Sequence, residues 1–268
     1  MENTSARRAA NLFLILALLC GAFTACKKKT ETVAASPTPT RALPAVPLDT
    51  TIAPPITGSV TPALVNQERD SITHYLHFPK DPKAAKMDGA VQFYCDVTAT
   101  GSVETIHALI ANDDAFKSAV QTALDWGHFT PATVEGKPVT VYLGGSVVFL
   151  HQNGEEVIVV SLATHDRDRV GKLGNYIQPQ MIGGLRQTIE TAIRSLKNGI
   201  LVAGKAEVVV SVDPKGAITG TSGISENPKG SGLGELINSA VRKAQFTPAY
   251  ENGTPAAGGV NVVGSFGR

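Results

Sequence analysis

The sequence predicts an α+β fold of two tandem small domains, each a three-stranded antiparallel sheet packed against helices. Two observations predict it. Period-two apolar runs set off by glycine turns alternate with runs at helical spacing, a mixture that favours hairpins covered by helices. The motif Phe129-Thr-Pro131-Ala132, followed by Gly136-Lys-Pro138, returns as Phe246-Thr-Pro248-Ala249 with Gly253-Thr-Pro255, and Phe246 stands 117 positions after Phe129.

Length and composition allow this arrangement. The 268 residues leave room for two small domains, and a hydrophobic fraction of 43% supplies their cores. A formal net charge of +1 gives no general pull toward nucleic acid or an anionic surface. Three cysteines, two of them before residue 30, do not make a disulfide framework.

In the first domain, assigned to residues 63–162, Leu64, Glu68, Ile72, Tyr75 and Leu76 predict a helix over 63–77. Asp81 and Pro82 can open one further turn. Val91, Phe93, Cys95 and Val97 alternate with polar neighbours as a strand, Gly101 turns the chain, and residues 103–110 return as a second strand. Asn112-Asp113-Asp114 offers a helix cap, and Phe116, Ala119, Val120, Ala123 and Leu124 mark one helical face. Trp126 and Phe129 are expected to plug that helix onto the sheet. A third strand then runs from Val139 to Leu150.

The second domain, assigned to residues 163–268, follows the same plan. Leu185, Ile189, Ala192, Ile193 and Leu196 form an apolar stripe, with Asn198-Gly199 as a helix stop. Ala206, Val208, Val210 and Val212 alternate, Asp213-Pro214-Lys215-Gly216 turns, and a weaker strand follows from Ala217 to about Gly223. Leu233, Leu236, Ile237, Ala240 and Val241 each stand 117 positions after their counterparts in the first stripe. Spacing this regular reads as an internal repeat.

Ahead of the domains, Arg7 and Arg8 precede a 14-residue apolar run, Leu12 to Ala25, too short to span a bilayer as a helix. Residues 1–25 therefore read as a signal peptide. Phe23-Thr24-Ala25-Cys26 resembles a bacterial lipobox, which implies cleavage before Cys26 and its lipidation. The lysines after Cys26 suit contact with anionic headgroups. From 26 to 62 the chain is rich in proline and threonine and is expected to be a disordered tether. Its reach is on the order of 100 Å at about 3.1 Å per residue.

Chemistry for catalysis is not legible. His74 and His77 share a helical face without further ligands, so no metal site is expected. Cys95 alternates with core positions and reads as a buried, inert thiol. The glycine-rich stretches near 220 and 230 lack the lysine and spacing of a phosphate loop. The chain is expected to be non-enzymatic and to need no cofactor.

The run Pro79, Gly89-Ala-Val-Gln-Phe93, Val97, Gly101, Trp126, Phe129-Thr-Pro-Ala132, Gly136-Lys-Pro-Val139 and Val147-Val-Phe149 resembles the C-terminal domain of TonB energy transducers. The resemblance covers 75–150 closely, and residues 176–268 resemble a diverged copy in which Lys243 replaces the tryptophan. It implies a non-enzymatic protein facing the periplasm and associated with outer-membrane transport. By the resemblance, the domain's third strand accepts a segment of an outer-membrane receptor, or of another envelope protein, by β-strand addition. The short N-terminal run, without the family's motor-contacting histidine, points to a lipoprotein. The outer membrane is the expected site, and contact with the motor complex is left open. Two alternatives stand beside this reading: a genuine transducer with an uncleaved inner-membrane anchor, and a structural envelope lipoprotein that self-associates through its sheet edges.

Asn153-Gly154 predicts a tight hairpin that would lay residues 156–162 over the third strand of the first domain. The partner-binding edge is therefore expected in the second domain, along Gly259, Val260, Asn261, Val262, Val263, Gly264, Ser265 and Phe266.

Overall fold

Glycine turns and alternating valines set the first sheet. β2 (Gly89–Val97) turns at Gly101 into β3 (Val103–Ala111), and β2 also pairs antiparallel with the long β6 (Val141–Gln152). A computed structural model describes residues 51–163, 175–194 and 203–267. The signal peptide, Cys26, most of the tether and the stop at Asn198-Gly199 lie outside the described residues, as does the charged stretch His165–Asp168, whose sequence reads as a solvated loop.

Between β3 and β6 runs α2 (Asp114–Trp126), whose N-cap Asp113 accepts the Ala115 N–H. Its stripe of Phe116, Val120, Ala123 and Leu124 is buried against Phe93, Val91, Leu143 and Phe149. Phe116, Val120 and Leu124 each contribute roughly 1.5–3 kcal/mol by leaving water. The expected helix over 63–77 is only one turn, α1 (Ile72–Tyr75), capped by Ser71. Upstream, the backbone of Leu64 exchanges hydrogen bonds with Thr130 instead of coiling. A 3-10 turn at Ala84–Lys86 does form, with Asp81 accepting the Lys83 and Ala84 N–H groups.

The Phe-Thr-Pro-Ala motif enters a small hairpin of β4 (Ala132–Val134) and β5 (Lys137–Val139), turned by Glu135 and Gly136 at positive φ. Pro138 sits on the outer strand of this hairpin, where its missing N–H costs no ladder bond. β1 (Val60–Thr61) pairs on the other side of β4, so the last part of the proline-rich segment is not free. The Ala53 N–H also donates to the Arg242 carbonyl, and Gln180 brackets the Ala63 backbone with bonds of 2.7 and 2.9 Å. Composition suggested a tether as far as 62. Backbone pairing, which composition does not report, ends it earlier.

The second half runs through a similar order of elements. β8 (Tyr176–Ile177), β9 (Met181–Ile182) and α3 (Leu185–Arg194) lead into β10 (Gly204–Val212) and β11 (Ile218–Asn227). Then come α4 (Leu233–Arg242), the hairpin β12 (Ala249–Glu251) and β13 (Thr254–Ala256), and β14 (Gly258–Phe266). β14 and β11 flank β10, and β8 pairs with β12 as β1 pairs with β4. β11 extends four residues beyond the expected Gly223.

The motif residues act alike in both halves. Phe129 and Phe246 are buried, and the turn glycines Gly101 and Gly216, at φ +88° and +81°, lie under their carbonyl oxygens. A Cβ on Gly101 would stand 2.1 Å from the Phe129 oxygen, and one on Gly216 2.5 Å from that of Phe246. Pro131 and Pro248 follow where the chain leaves the helix for the hairpin. Asn252 and Gly253, both at positive φ, turn the second hairpin, and Pro255 sits on its outer strand. Trp126 departs from expectation: it is 67% exposed and plugs nothing. Gly127 lies so tightly against Ile72 and the Ala123 carbonyl that the helix docks there. Trp126 is left on the outside.

The two halves share a core. The first sheet turns one face to α2 and the other to the second half, where Tyr94, Ala108 and Tyr142 join the cluster of Val208, Ile237 and Val262. Asp96, 1% exposed, reaches across to cap α3, accepting the Leu185 and Arg186 N–H groups at 2.8 and 2.9 Å. All described residues fall within one compact unit.

Candidate functional site

A sheet edge is a row of unpaired N–H and C=O groups, and proteins blunt such rows with bulges, charges, prolines or covering side chains. The described sheets present four long edges. Three of them are blunted.

β14 carries the residues expected to bind a partner. Its register with β10 directs the backbone groups of Gly259, Asn261, Val263 and Ser265 outward. The Tyr142 hydroxyl occupies the middle of that row. It accepts the Val263 N–H at 2.8 Å and donates to the Asn261 carbonyl at 3.1 Å. The Ser265 hydroxyl is turned to the His107 carbonyl at 2.9 Å. Val260, Val262, Val263, Gly264 and Phe266 are directed into or against the core, and Ile189 and Ile237 crowd the Gly264 position. The expectation of an uncovered edge here is corrected. The alternation of 259–266 showed a strand, but not that the first half's back face would pack across it.

β3 is shifted in register between Tyr94 and Cys95, and that same bond from Ser265 takes its His107 carbonyl. A cleft of about 880 Å³ along it is lined by charged side chains, including Glu104, Lys117, Arg186 and Lys205. His107 Nε2 stands 3.0 Å from Asp96 Oδ2, although off the line of a hydrogen bond. β11 is irregular at two places along β10 and is mostly polar and exposed.

The fourth edge is different. β7 (Glu155–Ser161) pairs with β6 from Gln152↔Glu155 to Ser146↔Ser161 without a register shift. Asn153 and Gly154, at φ +54° and +84°, form the two-residue turn that makes Gln152 and Glu155 a hydrogen-bonded pair. The groups of Glu156, Ile158 and Val160 therefore point away from β6. No described strand lies beyond β7. Val157, Ile158, Val159 and Val160 are half-buried, and the strand carries no proline, lysine or bulge. The first sheet has five strands, not three, because β7 and β9 both join β6.

Residues 74–150 match the family model described as Gram-negative bacterial TonB protein C-terminal. No curated protein and no solved structure matches the chain. The TonB match ends within β6, ahead of the Asn-Gly turn, so β7 and the whole second half lie outside it. The matched region holds the exposed Trp126 together with the buried Phe129, Pro131 that follows it, and Gly136 and Pro138 of the small hairpin.

Other chemistry stays apart from these edges. Burial pushes the Cys95 thiol well above its ordinary range, and the neighbouring Asp96 adds to this. Among the described residues no three His, Cys, Asp or Glu side chains gather as metal ligands. No described helix is long and apolar enough to cross a membrane. The glycine-rich loop at 230–234 has its anion seat filled from within. Glu226 accepts the Gly230 and Gly234 N–H groups at 2.7 and 2.8 Å and the Ser231 hydroxyl at 3.1 Å.

Proposed function

We propose that this chain is a non-enzymatic, TonB-like protein of the bacterial envelope, facing the periplasm and lipid-anchored through Cys26. It binds a segment of an outer-membrane receptor or other envelope protein by β-strand addition. The family match over 74–150 supports the envelope role. The edge of β7, charged only at its first two residues and otherwise regular and uncovered among the described strands, carries the binding mode. By resemblance the partner's place is beside the third strand, here β6. β7 already fills that place, so the partner pairs with β7's outer groups. Residues 176–267 are a diverged second copy, a reading supported by the shared order of strand, strand, helix, hairpin and long strand.

A photo-crosslinking amino acid at Val157, introduced in cells, tests the binding mode. The expected result is a discrete adduct with one envelope protein and none from the same group at Gly259. Adducts from Gly259 alone would contradict the assignment. Labelled palmitate tests the anchor: incorporation lost in Cys26→Ala supports it, and no incorporation into the wild type removes it.

A further inference from the structure

The chemistry of β7 specifies what its edge accepts. The strand begins at the exposed Glu155 and Glu156 and continues through half-buried Val157, Ile158, Val159 and Val160. Neither glutamate is paired with a described cation. His151, directly across from Glu156 on β6, leans toward Asp88 at 3.5 Å. A strand added outside β7 lies beside the two carboxylates at one end and beside four apolar side chains over the rest. Opposite charges across adjacent strands stabilise a pair, like charges destabilise it, and β-branched residues favour one another. The sheet is antiparallel throughout, which is the stronger pairing. An antiparallel guest brings its C-terminal end to the start of β7.

On the strand-addition reading, we propose that the segment accepted by β7 runs antiparallel to it. Its body is apolar and β-branched, and its C-terminal end is basic, opposite Glu155 and Glu156. An acidic tail or the reverse order of the same residues is disfavoured. The two glutamates thus set direction as well as partner, because only one orientation places the basic end against them.

Three labelled peptides test this by fluorescence anisotropy with the full chain: Thr-Val-Thr-Val-Thr-Lys-Lys, its reversed sequence, and the version ending in two glutamates. The expected result is binding of the first about 3- to 10-fold tighter than the others at low salt, with the gap narrowing near 1 M salt. The exposed double substitution Glu155→Lys with Glu156→Lys is expected to invert the preference between lysine and glutamate tails. Equal binding of all three peptides overturns the proposal. If that binding is lost in Ile158→Pro, strand addition itself survives. If no peptide binds but the adduct from Val157 forms in cells, this proposal falls alone. Absence of both removes the binding mode as well.

Discussion

Tyr142, on the third strand of the first half, accepts the Val263 N–H of the last strand at 2.8 Å and donates its proton to the Asn261 carbonyl at 3.1 Å. One hydroxyl thereby replaces the groups that a neighbouring strand would supply. The phenol is fully buried, so these bonds form where water cannot substitute for them. Tyr142→Phe keeps the ring but leaves the Val263 N–H and Asn261 carbonyl unmatched. The expected cost is about 1–3 kcal/mol, read as a lower denaturant midpoint with unchanged slope.

The same tyrosine adds to the loss of stability at alkaline pH. Burial raises its ionisation well above the ordinary phenol range, the Val263 N–H offsets part of this, and burial raises Tyr94 in the same direction. In the unfolded chain a phenol ionises near pH 10. The folded state holds these protons more tightly, so their contribution is complete below about pH 10 and is lost as pH rises further. Thermal midpoints measured from pH 8 to 11 should begin to fall above about 8.5, where the unfolded Cys95 thiol ionises, and fall further beyond about 10, that second fall being shallower in Tyr142→Phe.

Glu226 acts at the other end of the scale. Burial raises it, but the Gly234 N–H, the Ser231 hydroxyl and the Gly230 N–H outweigh burial and hold its carboxyl below the ordinary range. Its contribution is present above the unfolded value of about 4.3 and is lost as pH falls through the folded one. Thermal midpoints of the wild type and Glu226→Gln should differ at pH 7 and converge in acid.

Asp96 ties the halves together by capping α3 from β2. Asp96→Ala removes two charge-assisted bonds from a buried helix start and should cost about 2–4 kcal/mol. Asp96→Asn, which still offers an acceptor, should recover part of the loss in the same denaturation measurement.

The turn glycines separate backbone strain from collision. Gly101→Ala and Gly216→Ala meet both the positive φ and a carbonyl oxygen, whereas a Cβ on Gly136, at φ +75°, meets open space. The first two should cost roughly 2 kcal/mol or more, and Gly136→Ala about 1 kcal/mol.

The paired motifs were legible because they rest on local chemistry. Phe129 and Phe246, with Gly101 and Gly216, satisfy the same steric relation in each half, and a spacing argument detects that. The Asn153-Gly154 turn was equally readable, since its positive φ angles follow from residue type. What escaped was tertiary. Nothing in an alternating run announces that Tyr142 will reach a strand about 120 positions away. The pairing of Val60 and Thr61 with β4 is likewise a long-range backbone event inside a segment whose composition suggests disorder. Trp126 was misjudged because aromatic size argues for burial, whereas its place at the end of α2, beside the tightly docked Gly127, decides for exposure.

Strand addition at the outer edge of β7 is tested most directly by Ile158→Pro. The Ile158 N–H points away from β6, so the substitution removes one outward donor and spares the ladder within the sheet. The measurement is the in-cell crosslink from position 157 with and without Ile158→Pro, alongside circular dichroism to establish that the fold is kept. Loss of the adduct from a folded variant is the predicted result. An undiminished adduct would contradict strand addition at this edge.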